Sequence, residues 1–285
     1  MSQRRAAARP LAGRVAVVTG AGRGIGRAHA LALADLGAAV LVNDLGTDLS
    51  GCGRDAEPAD AVVAEIRARG GTALADGGDV ASIAGGRAVV EHAVAELGRV
   101  DVVVNNAGFA LGGGTVEEPE EAGLDALLAV HLRAAVGTTS AAFPVMRANG
   151  YGRVVNTVSE VALDARFAGP LGYGIAKAAL WSATLSAAEE GRPYGITVNA
   201  ISPGARTRMN ADALDAGFRE GASARLDLAP EHVAAVVAYL ATPDAGDITG
   251  RVFHVAAGEI REYETRRHAG TELAERLAAA IRASR

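Results

Sequence analysis

Short runs of β-branched and aliphatic residues alternate along the chain with longer stretches in which Ala and Leu recur at helical spacing. The runs Val15–Thr19, Ala39–Asn43, Thr72–Ala75, Val100–Val104, Val154–Thr157, Thr197–Ala200 and Val252–Val255 are almost continuously apolar. Strands buried on both faces read this way. Helical periodicity covers residues 25–36, 59–69, 82–97, 118–148, 173–190 and 230–240. The alternation predicts an α/β fold: a doubly wound, seven-stranded parallel sheet between two layers of helices, in a single domain.

Two segments interrupt the pattern. Leu45–Pro58 is a Gly/Asp-rich insertion after the second strand, and Arg206–Ala229 carries short apolar patches that predict a small helical lid. The expected domain spans residues 11–260, with a disordered tail at 1–10 and a further tail at 261–285. Within the latter, Leu273, Leu277 and Ile281 align on one helix face, which predicts docking on the body or on a neighbouring subunit.

Composition narrows the picture. Of 285 residues, 49% are hydrophobic but only 4% aromatic, so the core must be built from Ala, Val, Leu and Ile. A net charge of −5 gives no general attraction to nucleic acid or to anionic membranes. No run is expected to reach the roughly 18 apolar residues of a membrane span. Cys52 is the sole cysteine, which leaves no disulfide framework or Cys-based metal site, and its Gly51-Cys52-Gly53 setting reads as an exposed thiol. His232 and His254 have no partners at metal spacing, so no metal site is expected. Residues 1–10 hold three Arg and no acid, too short for a targeting helix; a cytoplasmic protein is the expectation.

Candidate chemistry begins with Lys177, the only lysine beside 27 arginines, four residues after Tyr173. On a helix these two share a face, so an ammonium can stand near the phenol and lower its pKa towards working pH. The first strand runs into Thr19-Gly20-Ala21-Gly22-Arg23-Gly24-Ile25-Gly26, which opens a helix. Such a glycine turn lets the backbone approach a pyrophosphate at a helix N-terminus, the Rossmann arrangement for a dinucleotide. Asp44 ends the second strand, where an acid accepts ribose hydroxyls and repels a 2′-phosphate, favouring NAD over NADP. Arg23 is the counter-signal. Asp79-Val80 follows the third strand and reads as an adenine contact, or as a helix cap for which Ser82 is better placed.

Together these motifs resemble the short-chain dehydrogenase/reductase family. Thr19-x-x-x-Gly-Ile-Gly, Asn105-Asn106-Ala107-Gly108, Tyr173-x-x-x-Lys177 and Pro203-Gly204 occur in that family's order, and the likeness covers about residues 11–260. A second, weaker likeness is to the dehydrogenase part of peroxisomal multifunctional β-oxidation enzymes of type 2, through Val42-Asn43-Asp44-Leu45-Gly46 with its insertion, Val130-His131-Leu132-Arg133 and Gly250-Arg251-Val252-Phe253.

The family resemblance implies that Tyr173 is the general acid/base and that Lys177 holds the nicotinamide ribose while lowering the Tyr pKa. It implies that Asn105 to Gly108 shape the cofactor floor, and that the backbone of Pro203, Gly204 and Thr207 closes on the cofactor. Two positions depart from the family pattern. Thirteen residues before Tyr173, where the family has Ser, stands Glu160, with Ser159 one residue earlier. Either the loop shifts and Ser159 serves, or a Glu, which donates no hydrogen bond when ionised, faces the substrate. Where the family carries a relay Asn stands His131, which either holds a water or packs at a helix interface. Asp164 and Arg166 lie in the same loop and read as its solvation.

The expected activity is NAD-dependent interconversion of a secondary alcohol and a ketone. A 3-hydroxyacyl-CoA dehydrogenase is the alternative, with Arg206, Arg208 and Arg219 of the lid supplying a basic mouth. A lost Ser would open a non-redox cyclisation or elimination through Glu160, and a non-catalytic NAD-binding sensor or scaffold is the remaining reading. Alanines along 118–148 and after Tyr173 predict close packing between copies, as a homotetramer or homodimer.

Overall fold

The computed structural model describes residues 9–49, 51–167, 169–207 and 227–264. Most of the expected lid, with Arg208 and Arg219, and the C-terminal helix carrying Leu273 lie outside the described residues.

The strands are β1 (Val15–Thr19), β2 (Ala39–Asn43), β3 (Thr72–Asp76), β4 (Val102–Asn105), β5 (Gly152–Thr157), β6 (Ile196–Gly204), β7 (Val252–Ala256) and β8 (Glu259–Tyr263). Their order in the sheet is β3-β2-β1-β4-β5-β6-β7-β8. The doubly wound sheet is present, with a correction to its strand count. β8 is an eighth strand, and it pairs antiparallel to β7 with Val252 opposite Tyr263 and Ala256 opposite Glu259. Its sequence, Glu-Ile-Arg-Glu-Tyr, is mostly exposed and lacks the apolar run by which the inner strands are recognised.

Because side chains alternate along a strand, each inner strand feeds two cores. Ala16, Val18, Val40, Val42, Val102 and Val104 face one side. There they meet helices α1 (Gly24–Asp35), α2 (Glu57–Ala68) and α7 (Pro230–Leu240). Val15, Val17, Leu41, Val103 and Val154 face the other, against α3 (Ile83–Leu97), α5 (Ala134–Asn149) and α6 (Leu171–Gly191).

The helix expected over 118–148 is not continuous. It comprises α4 (Glu121–Leu128), a π-helical turn (Ala129–Arg133) and α5. Taken together, Glu121–Asn149 is long and apolar enough to cross a membrane by length and composition, contrary to expectation. In the fold α5 lies along α3 and the sheet.

β1 and β4 are neighbours from which the chain winds in opposite directions, so a crevice opens at their carboxyl ends, where open α/β sheets bind ligands.

Candidate active site

The crevice begins at the glycine turn. Gly20 and Gly24 take left-handed φ values of 62° and 52°. A Cβ on Gly26 would stand 2.0 Å from the Gly20 carbonyl oxygen, so this turn closes only with glycine there. Asn106 holds it from the neighbouring strand. Its Nδ2 donates to the carbonyls of Thr19 and Gly20, each at 3.1 Å, while Thr19 Oγ1 accepts the Asn106 and Ala107 N–H groups at 3.0 and 3.1 Å. Helix α1 starts here without a side-chain cap. Its first amides are therefore donors for an anion, and the cradle suits a pyrophosphate.

Asp44 accepts from the Gly22 N–H and from the Gly46 N–H, both at 2.7 Å. Its carboxylate thus binds the glycine turn to the start of the insertion while facing the cleft. Arg23 also lines the cleft and reaches along it to that insertion, with the Thr47 carbonyl at 3.5 Å and the Asp55 carboxylate at 3.8 Å.

The resulting cavity measures about 480 Å³. Gly20, Arg23, Gly24, Ile25, Gly26 and Asp44 line it on one side, and Asp79, Val80, Asn106, Ala107, Gly108 and Thr207 complete it. Asp79 accepts from the Ala81 N–H at 2.8 Å, whereas Ser82 caps α3 through the Gly85 N–H, so Asp79 is not the cap. The insertion supplies cleft residues the sequence reading had not assigned: Leu45, Thr47, Asp48, Leu49, Gly51 and Cys52. Cys52 is exposed, as read, but at the cleft. Tyr173, Lys177, Pro203 and Gly204 do not line this cavity. Asn105 does not either; its side chain is buried between Asn156 at 2.8 Å and Thr138 at 2.6 Å.

Tyr173 and Lys177 lie beyond Gly108. A Cβ on Gly108 would stand 2.0 Å from His131 Cε1, so the glycine makes room for that imidazole. His131 sits on the π turn, its Nε2 on the Phe109 carbonyl at 2.8 Å, its ring edge-on to Tyr173 at 5.4 Å between centroids. An Nε2–H donor leaves Nδ1 as a buried acceptor, and it has no hydrogen-bond partner. Burial, and secondarily the charge of Lys177, hold His131 well below the usual histidine range. Phe109 was not foreseen, although it directly follows the Asn-Asn-Ala-Gly motif.

Lys177 is only 3% exposed and donates from Nζ to the Thr157 carbonyl at 2.6 Å. Burial lowers its pKa to about 7. Tyr173, 5.5 Å from Nζ measured at the ring centroid, is pushed up by burial and drawn down only by a hydrogen bond with Ser159. The expectation that the lysine lowers the phenol is thus corrected: desolvation dominates both members of the pair.

Ser159, and not Glu160, meets Tyr173. Glu160 turns the other way, accepting from the Tyr263 hydroxyl and standing 3.3 Å from His254 Nδ1. Asp164 and Arg166 pair with each other in the same loop. His232 pairs with Asp227 at 3.0 Å, and among the described residues no three His, Cys, Asp or Glu side chains gather as a metal site.

A sequence profile of the short chain dehydrogenase family matches residues 14–216. A hydroxyacyl-CoA dehydrogenase of Mycobacterium tuberculosis is 40% identical over 261 residues, covering 88% of this chain and 79% of its own. The peroxisomal multifunctional enzyme type 2 of Mus musculus is 39% identical over 258 residues, covering 90% of this chain but 34% of its own length. The peroxisomal hydratase-dehydrogenase-epimerase of Saccharomyces cerevisiae is 38% identical over 257 residues, or 90% of this chain and 27% of that one. The chain therefore spans about a quarter to a third of these peroxisomal relatives. The crystal structure of a short chain dehydrogenase from Mycobacterium avium superposes with a TM-score of 0.78 at 39% identity, covering 95% of both chains. With the glycine turn, the Asn-Asn-Ala-Gly bend and the Tyr-x-x-x-Lys helix in one fold, the protein belongs to the short-chain dehydrogenase family and is an oxidoreductase acting on CH–OH groups.

Proposed function

We propose that the protein is an NAD-dependent dehydrogenase that interconverts a secondary alcohol and a ketone, with 3-hydroxyacyl-CoA thioesters as the substrate class. The observation that carries the chemistry is the grouping around Tyr173 of a buried Lys177, its Nζ 5.5 Å from the ring centroid, the His131 ring at 5.4 Å, and Ser159. Tyr173 Oη takes the substrate hydroxyl proton in oxidation and returns it in reduction. The Ser159 hydroxyl donates to the substrate oxygen as its charge develops. Lys177 would hold the nicotinamide ribose, whose hydroxyls would offer its ammonium polar partners, and Asp44 would hold the adenosine ribose. The α1 amides and the glycine turn would hold the pyrophosphate. NAD, when bound, accepts or supplies the hydride. His131 stays neutral and offers Nδ1 as an acceptor at the edge of the site.

NAD is favoured over NADP because the Asp44 carboxylate at the end of β2 would accept ribose hydroxyls and repel a 2′-phosphate, and Arg23, which also lines the cleft, is drawn towards Thr47 and Asp55. The acyl-CoA class rests on the relatives named as hydroxyacyl-CoA and multifunctional enzymes. A non-redox reaction through Glu160 is disfavoured, since its carboxylate is held by Tyr263 and His254. The chain is further proposed to assemble as a homotetramer or homodimer through α5 and α6.

The test is NADH formation from NAD with a panel of secondary alcohols that includes (3R)- and (3S)-3-hydroxyacyl-CoA. Turnover with a hydroxyacyl-CoA, lost in Tyr173→Phe while NADH still binds, is the expected result. No NADH from any member of the panel sinks the redox reading, and turnover of simple alcohols alone removes the CoA assignment.

A further inference from the structure

We propose that Glu160 is a positioning residue: by tying its turn to the β7–β8 hairpin it seats the Ser159 hydroxyl on Tyr173, so that a serine one position early serves the reaction. The inference rests on the reading of Tyr173 as the proton-transfer group.

Ser159 has extended backbone, with φ −153° and ψ 148°, and Glu160 opens the helical turn directly after it. A tether on one side chain restrains its neighbour in so short a bend. Ser159 meets Tyr173. Glu160 Oε1 accepts from the Tyr263 hydroxyl of β8 and Oε2 stands 3.3 Å from His254 Nδ1 of β7. His254 is itself placed by the sheet. It pairs with Ser202 of β6 and Arg261 of β8 in register, and its Nδ1 lies 3.4 Å from Ser202 Oγ.

The turn is otherwise held by Ser159 Oγ, which accepts from the Val161 N–H at 3.4 Å, and by Leu163 packed against the cluster of Val158 and Leu180. Glu160–Ala162 is a single short helical turn without a buried residue, and Ala165–Phe167 beyond it is exposed. The carboxylate, with a side chain 15% exposed, is the polar anchor between this turn and the end of the sheet. The tie also keeps a negative charge off the phenol, where it would oppose ionisation. The groups facing Tyr173 are then Ser159, Lys177 and His131. Those facing Glu160 are Tyr263, His254 and, from its own loop, Arg166.

The experiment compares Glu160→Ala, Glu160→Gln, Ser159→Ala, Tyr263→Phe and the Ser159→Ala/Glu160→Ala double variant. Each is read by oxidation of the panel's best alcohol with NAD and by tyrosinate absorbance against pH. Subtracting the same variant carrying Tyr173→Phe isolates Tyr173 from the other four of the five tyrosines. Glu160→Ala is expected to lower kcat by roughly 10²-fold, the scale of losing a hydrogen-bond donor at the reacting oxygen. NADH affinity should stay within about twofold, and Tyr173 should titrate at higher pH, because it loses the hydrogen bond that favours its ionised form. Ser159→Ala should do the same, and the double variant no worse. Glu160→Gln, which keeps an acceptor for Tyr263, should recover part of the loss. Tyr263→Phe removes one hydroxyl at an edge strand and should shift kcat and titration in the same direction by less, which keeps the test open if Glu160→Ala does not fold.

Wild-type titration and kcat in Glu160→Ala, or a loss that adds to that of Ser159→Ala, overturns the proposal. Wild-type turnover in Tyr173→Phe overturns the acid/base reading instead, while the tyrosinate titration still reports whether Glu160 seats Ser159.

Discussion

Lys177 is the residue on which burial acts most sharply. Its pKa falls from 10.5 to about 7 because the ammonium is desolvated. In the unfolded chain it keeps its ordinary value, so between these two values the unfolded state binds a proton that the folded state resists. Stability from this group therefore rises as pH climbs from about 7 towards 10.5, and is flat below 7, where both states are protonated. Lys177→Met should raise Tm at pH 7 and flatten its rise between pH 7 and 10 in scanning calorimetry. An unchanged or lower Tm at pH 7 would count against a buried, disfavoured cation. Lys177→Arg should lose roughly 10²-fold in turnover, since a wide guanidinium cannot replace a compact ammonium beside Thr157 and Tyr173. Asp44 is constrained differently, by two backbone N–H groups at 2.7 Å. Asp44→Ala should weaken NADH binding by about tenfold or more, as expected for charged hydrogen bonds of about 1.5–3 kcal/mol, and NADPH binding much less. Calorimetric titration of both nucleotides decides this, and tighter wild-type binding of NADPH than of NADH reverses the preference.

At the scale of elements, the π turn Ala129–Arg133 is the decisive local feature. One extra residue per turn re-aims a side chain, and such turns recur at functional sites. Here it brings His131 onto Phe109 and Tyr173. Ala-Val-His-Leu-Arg reads as ordinary helix, so nothing local announced the break. Gly108 is the complement of this turn. Gly108→Ala should cost about 1–3 kcal/mol in denaturant unfolding, the usual range for overpacking, because its methyl would meet the anchored His131 ring. Adding His131→Ala should restore much of that stability while leaving turnover low; a Gly108→Ala variant of wild-type stability would show that the ring yields freely. The insertion after β2 is a second element of this kind. A Cβ on Gly46 would stand 1.9 Å from the Asp55 carbonyl, so the insertion is pinched shut at its base. A Cβ on Gly51, farther along, would come within 3.0 Å of the Phe109 ring.

For the whole molecule, the groove between α5 and α6 has a volume of about 420 Å³ and an apolar floor of Val136, Phe143, Pro144 and Leu180. Two copies of this chain meeting here would cover it, and the small Ala183 on α6 leaves room for close approach. Ala183→Glu should shift the protein towards smaller species in sedimentation velocity. Wild type that sediments as a monomer at micromolar concentration refutes the assembly.

What the sequence by itself determined is what depends on spacing. Apolar runs of strand length between helical repeats establish seven parallel strands, a Gly-rich bend after the first strand makes the tight turn into α1, and one lysine four residues after Tyr173 puts the two side chains on one helix. Each is a relation between near neighbours, and local backbone geometry carries it into the fold. What only the tertiary structure decided concerns groups that meet from distant segments. Glu160 was legible as an anomaly, but its outward direction depends on Tyr263 and His254, about a hundred residues away. Arg23 was legible as a rival for the ribose, and that its nearest partners are Asp55 and Thr47 of the insertion is a matter of the fold. The pKa of Tyr173 was misjudged from its charged neighbour alone, because desolvation is set by all the chain that surrounds a group and outweighs any one partner along the helix.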